Sequence, residues 1–407
     1  MTGGAPSVED LDLPVLDVLG SPRDDAVAAM AAARRRNWLA RSPLGYAVTT
    51  YDDAVALLRE RRFHSALSLI PGLSGVASGE SFLERRRSIL AMEGAEHARL
   101  RRLVAPAFTP AAADRLRPLM DDVMRGLVDT LAPAGSGDLV AGLCDPYPVP
   151  VICALLGAPP ADADRFSAWA TDIFRIFNGN LAADLPEVER AAVELDTYVR
   201  DMVEQRRRSP AGDLLSALIA CEEAGDRLTT DELVMLAEAV LMAGTDTTRN
   251  QLGCSLALFL DHPDQWAALA DRPAAAARAV EESMRFLGAV RSTARVASAD
   301  IEYRGVRFPA GTFVSIHLAG ANRDPATFAD PDRFDVTVEQ RAKQLTFGSG
   351  VHHCLGAALA RAELQQALPM IARRLPGLAG TGPVEWKPPT FGIWGPARIP
   401  ARWQPAP

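Results

Sequence analysis

One cysteine of five stands where it could do chemistry. Cys354 lies in the run Phe347-Gly-Ser-Gly-Val-His-His-Cys-Leu-Gly356. Glycines at 348, 350 and 356 would let this backbone turn tightly and approach a partner closely. A helical pattern follows from 355 to 375, so the thiol stands just before a helix, where the dipole and unpaired N–H groups favour the sulfur anion. That setting suits a thiolate delivered to a metal in a flat macrocycle. Two plainer readings stand beside it: a buried apolar cysteine, or a zinc site using His352, His353 and Cys354. Zinc needs further ligands, and Cys144, Cys153, Cys221 and Cys254 supply no CxxC pair.

A second group is Ala243-Gly244-Thr245-Asp246-Thr247-Thr248. Ala243 and Thr247 are four apart and share a helix face, and Gly244 beside them leaves room for a small ligand against the backbone. A hydroxyl next to a carboxylate in an apolar helix is costly without partners. The alternative is structural, with Thr247 bonded back to the carbonyl of residue 243 and the helix bent there. A third group, Glu282-Ser283-Met284-Arg285, pairs an acid and a base three apart, the geometry of an ordinary helix ion pair. Glu84/Arg87, Glu96/Arg99, Glu187/Arg190 and Glu204/Arg207 share that spacing, so spacing alone does not single it out. On 96–102, His97 and Arg101 lie four apart on one face, whereas Arg99 projects about 200° around from His97.

The elements that must hold these groups are mostly helical. Runs at 23–36, 96–132, 160–176, 187–208 and 229–261 carry apolar residues at three-to-four spacing. The last opens with a capping box, Thr229 and Glu232, and stops at His262-Pro263, a length of about 33 residues or roughly 50 Å. Pro369, inside the pattern after Cys354, is expected to kink or end that helix. Short β-like stretches lie at 44–50, 301–303, 306–308 and 312–316, and a β-like turn at 288–294. The Gly- and Ser-rich stretch 66–81 reads as a long functional loop.

The chain of 407 residues is 48% apolar and 23% charged, with no repeat and no Pro-rich linker to divide it. One domain over 1–407, mainly α with a smaller β-rich part, is expected. A net charge of −8, from 43 basic and 51 acidic residues, argues against nucleic acid and anionic membrane as partners. Without an 18-residue apolar run or a leader pattern, the chain reads as cytoplasmic and unanchored.

The motif F-G-x-G-x-H-x-C-x-G at 347–356 resembles the haem-binding signature of the cytochromes P-450, and the likeness extends from about residue 40 to 396 in the family's order. The resemblance implies the cytochrome P-450 fold and haem b (iron protoporphyrin IX) as cofactor, with Cys354 as metal ligand, Phe347 beside its sulfur and His352 at a propionate. It places Gly348 and Gly356 in the cofactor loop and Ala243 over the haem. His97, Arg101 and Arg295 match propionate-holding positions. Thr247 would hydrogen-bond bound O2 and Asp246 would gate proton access, as the catalytic pair. Glu282 and Arg285 match the structural ExxR pair, which the Arg of Pro331-Asp332-Arg333-Phe334 is expected to join.

The activity so implied is O2- and electron-dependent oxidation of a hydrophobic small molecule, such as hydroxylation or epoxidation. Electrons would come from ferredoxin and ferredoxin reductase, with Arg99, Arg102 and Lys343 as a basic docking patch or, equally, a solvated face. Substrate contacts fall on 66–81, Ala243, Val290 to Thr293 and Phe391 to Trp394. Oxidative coupling, peroxide use and a non-catalytic haem sensor stay open as alternatives. Glu93-Gly94-Ala95 departs from the family's Asp-Pro-Pro, leaving the local turn open.

Overall fold

The computed structural model describes residues 5–18, 21, 23–69, 88–177, 181–223, 228–388 and 392–405. Helices dominate, and the longest, Thr230–Asp261, runs through the middle of the main hydrophobic cluster. Its capping box forms as expected, with Thr229 Oγ1 accepting the Glu232 N–H and Glu232 returning the bond to the Thr229 N–H. Pro263 ends it by opening the next helix, Pro263–Asp271. The helices Pro148–Leu156, Ala163–Ile173, Leu181–Arg208 and Ala357–Arg374 all pack on this central rod. Twenty-two of its residues are buried, so the few that are not mark faces with another use.

The expected run 96–132 is two helices, Gly94–Val104 and Pro110–Leu131. Pro106 cannot donate to the ladder, and a short 3₁₀ turn, Ala105–Phe108, takes its place. Thr109 then caps the second helix through the Ala112 N–H. Pro369 neither ends nor interrupts the helix Ala357–Arg374, which runs five residues beyond it with the ring buried. The run expected at 187–208 starts earlier, at Leu181, and accommodates Pro186.

The smaller β part centres on a five-stranded sheet in the order Leu39–Ser42, Gly45–Val48, Phe313–Ile316, Thr293–Ala297, Phe63–Ser65. Gly45–Val48 and Phe313–Ile316 run parallel, and the other pairs are antiparallel. Ile301–Tyr303 and Val306–Phe308 form a hairpin over Arg304 and Gly305, both in the left-handed region at φ 51° and 73°. Arg295 therefore lies within a strand and not after a turn. The 66–81 stretch begins as a 3₁₀ turn, Ala66–Leu69, and 70–81 lies outside the described residues.

Candidate functional site

The loop before Ala357–Arg374 is set by two glycines in the left-handed region, Gly348 at φ 68° and Gly350 at φ 73°. A Cβ on Gly350 would lie 2.1 Å from the Leu58 carbonyl oxygen, so the loop touches the backbone of Tyr51–Arg59. Gly356 needs no such freedom, since its φ is −78° and it serves as the helix N-cap. Cys354 closes the loop by donating its N–H to the Phe347 carbonyl at 2.9 Å, and the residue is exposed. A Cβ at Gly348 or Gly356 would likewise meet open space. Burial of the surrounding loop pushes the Cys354 thiol up, while the Gly356 N–H, Arg101 and Arg361 pull it back towards the anion. Arg361 lies over the Phe347 ring at 4.4 Å and is itself held by Glu281.

On the central helix, Ala243 is exposed although Val240, Leu241, Thr245 and Asp246 are buried. Thr247, half-buried on the same face, donates its hydroxyl to the Ala243 carbonyl at 2.7 Å. The back-bond weighed from the sequence is therefore present, and the segment stays α-helical throughout. Gly244 works differently from the expectation. A Cβ there would stand 2.5 Å from Ile152 Cδ1, so the glycine admits the helix Pro148–Leu156 and leaves no room for a ligand.

Asp246 is buried and bonded to Arg249, whose Nε donates at 2.6 Å. Arg249 also donates to Thr171 Oγ1 at 3.0 Å and reaches Asp145 at 4.0 Å. Asn250 donates to the Asp246 carbonyl and accepts from Lys387 Nζ at 2.8 Å. Burial raises the Asp145 carboxyl and lowers the Lys387 ammonium, each against an opposing pull from its neighbours of opposite charge. The i,i+3 spacing of Asp246 and Arg249 could have revealed that pair in the sequence. Nothing local marks Lys387.

Four expected anion-binding groups gather at one edge. The His97 and His352 rings lie 4.5 Å apart, and His97 is buried. Arg295 is 4% exposed and bonds to two neutral oxygens, Thr293 Oγ1 and the Ala294 carbonyl. Burial holds both imidazoles below their usual range, aided at His97 by His352 and Arg101 and at His352 by Arg295 and Arg101, with Glu93 opposing at each. Arg101 donates to the His353 carbonyl, fastening its helix to the cysteine loop. His352 Nε2 stands 2.9 Å from Glu93 Oε1, a partner the sequence did not suggest.

Three other expectations change. Arg99 is paired with Glu232, the capping residue of the central helix, and so leaves the basic patch. Arg333 contributes only its carbonyl to Arg285, while its guanidinium goes to Asp335. Trp394 is stacked face to face on Trp386 at 4.4 Å and is buried, which removes it from an open pocket wall. Phe391 lies outside the described residues. The Glu282–Arg285 pair is fully buried, with both Arg285 bonds to the carboxylate at 2.8 Å.

Comparison with known proteins agrees with this geometry. The sequence model described as Cytochrome P450 matches residues 163–376. The chain is 38% identical to nocardicin C N-oxygenase of Nocardia uniformis subsp. tsuyamanensis, over 89% of this chain and 91% of that protein. It is 38% identical, with the same coverage, to mycinamicin IV hydroxylase/epoxidase of Micromonospora griseorubida. The crystal structure of CalO2 superposes with a TM-score of 0.89 at 29% identity, covering 96% of this chain and 100% of the other. An exposed cysteine on a glycine loop, a central helix bared at Ala243, and this likeness along nearly the whole length have one explanation: the chain belongs to the cytochrome P450 family of haem-thiolate monooxygenases.

Proposed function

We propose that this chain, as one domain over 1–407, holds haem b through Cys354 and oxidises a hydrophobic small molecule with O2 and electrons from a ferredoxin and its reductase. The observation that carries the reading is the Cys354 loop. Cys354 is an exposed residue, and its sulfur receives the Gly356 N–H and stands near two guanidinium groups. The surroundings fit the group: open space fronts Gly348 and Gly356, and the buried Arg295, whose bonds among the described residues go to neutral oxygens, suits an anionic edge. Arg295, His97, His352 and Arg101 would hold the propionates, and Phe347 would pack beside the sulfur.

When bound, the haem supplies a redox-active iron that activates O2 and passes one oxygen atom to the substrate. The protein supplies orientation and protons. Thr247, its hydroxyl hydrogen donated to the Ala243 carbonyl, keeps its oxygen free to accept a hydrogen bond from a group that carries a proton towards the site. Asp246 would pass that proton once its carboxylate is released by Arg249, and Asp145, half-exposed, is the acid nearest to solvent in this cluster. Ala243 and the segment from Val290 to Thr293 would line the substrate space, and their side chains, small or apolar apart from Arg291, suit a hydrophobic molecule.

Arg102 and Lys343 are exposed on an otherwise acidic chain and support docking of an acidic ferredoxin, without Arg99. Among the described residues no helix is long and apolar enough to cross a membrane, and a cytoplasmic location is proposed. The reading is tested by the reduced carbon-monoxide complex. The wild-type protein should show the red-shifted Soret band of a thiolate ligand, and Cys354→Ala should lose it. Retention of that band in Cys354→Ala overturns the assignment.

A further inference from the structure

The helix carrying His97 and Arg101 opens at Glu93, an N-cap whose side chain does not cap. The Gly94 φ of 65° turns the chain there, and the carboxylate reaches away from its own helix. Glu93 Oε1 accepts the Ser65 N–H at 2.5 Å and stands 2.9 Å from His352 Nε2. One oxygen thus joins the His97 helix, the end of the strand Phe63–Ser65 and the cysteine loop. It does so inside a ring of basic groups. Glu93 acts electrostatically on His97, His352 and Arg295, and among the described residues it is the acid acting on those three.

We propose that Glu93 is a built-in counter-anion of the propionate cradle, clamping His352 in place while its charge weakens the cradle's hold on the dianionic edge of haem. This rests on the reading of His97, Arg101, Arg295 and His352 as that cradle. The clamp and the charge are separable, because a glutamine keeps the acceptor oxygen for Ser65 and His352 and removes only the charge. A unit charge in direct contact with His352, in a partly buried setting, would change the cradle's hold on an anion by a factor on the order of five to thirty.

The experiment measures haem transfer from the loaded protein to excess apomyoglobin, together with the midpoint potential. Glu93→Gln should release haem about five- to thirtyfold more slowly than wild type and shift the midpoint to a more positive value, since reduction adds a negative charge. Glu93→Ala, lacking clamp and charge, should release it faster than Glu93→Gln. Protein reconstituted with the haem dimethyl ester, which has no propionate charge, should show no difference between wild type and Glu93→Gln. Equal or faster loss from Glu93→Gln, an unshifted midpoint, or an advantage that persists with the ester overturns the counter-anion role. Arg295→Met separates this from the underlying reading. If Arg295→Met does not hasten haem loss, the cradle assignment itself fails; if it does while Glu93→Gln is inert, only the role of Glu93 falls.

Discussion

Arg285→Met should nearly abolish the folded, haem-loaded protein, and the cost follows from what the guanidinium touches. From a site 2% exposed, Arg285 makes two bonds to the Glu282 carboxylate and one each to the carbonyls of Asn322, Pro331 and Arg333. Methionine preserves the apolar stem but strands the carboxylate, leaving it the Asp335 N–H at 3.1 Å and the Gln340 amide at 3.4 Å. An uncompensated buried charge costs about 3–5 kcal/mol, and the orphaned carbonyls bring the total to roughly 5–8 kcal/mol. That is comparable to the whole stability of a typical domain, about 5–15 kcal/mol. Adding Glu282→Gln removes the stranded charge while keeping an acceptor for Asp335, and should restore about 2–4 kcal/mol. Urea denaturation, followed by the Soret band and far-ultraviolet dichroism at matched protein and haem concentrations, reads both variants. A single variant within about 1 kcal/mol of wild type, or a double variant no more stable than the single one, would refute the reasoning.

Three other outcomes follow from the same geometry. Thr247→Ala should raise the peroxide released per NAD(P)H consumed, and an unaltered coupling ratio would leave Thr247 only its structural bond to Ala243. Gly244→Ala should cost about 1–3 kcal/mol by driving a methyl into Ile152; Ile152→Ala added to it should make the pair more stable than the summed single effects by about 1 kcal/mol or more, strict additivity being the contrary result. Burial lifts the Glu363 carboxyl well above its usual range, with Thr248 opposing, so the native state keeps a proton that the unfolded chain releases. Stability should then fall with rising pH above the usual glutamate value of about 4.3, by up to about 1.4 kcal/mol per pH unit until the folded value is passed. Glu363→Gln should flatten that slope in denaturation midpoints measured from pH 5 to 9.

Features carried by one element were legible in the sequence. The capping box at Thr229, the stop at Pro263 and the glycine loop around Cys354 all depend on neighbours a few residues away. Strands such as Leu39–Ser42 and Phe63–Ser65 were not, because three or four residues are too few for alternation to declare itself. Thr293–Ala297 is hidden for another reason: its burial alternates from Ala294 onward, but one of the two buried positions is the charged Arg295. Gly244 is ambiguous in the sequence for a related reason: whether an absent side chain makes room for a ligand or for a neighbouring helix is decided by Ile152, 92 positions earlier.

The same limit governs the charges around the site, and there it has a chemical consequence. Several of the groups expected to act are restrained by partners outside their own motif: His352 by Glu93, 259 residues away, and the Asp246 cluster by Arg249 three residues on and by Lys387 through Asn250, 137 residues away. Arg99 was lost from the docking patch to Glu232, 133 residues away. A motif therefore identifies which residue can bind or carry a proton, but the distant partner sets how firmly it binds and when it is free to move. Relatives that share the Cys354 and Asp246-Thr247 motifs should consequently differ in haem retention and in peroxide leakage according to the residues at the Glu93, Arg249 and Lys387 positions. Exchanging those three residues between this chain and a relative, with the motifs untouched, should carry those two properties across; properties that stay with the motifs would show that the distant partners are only scaffolding.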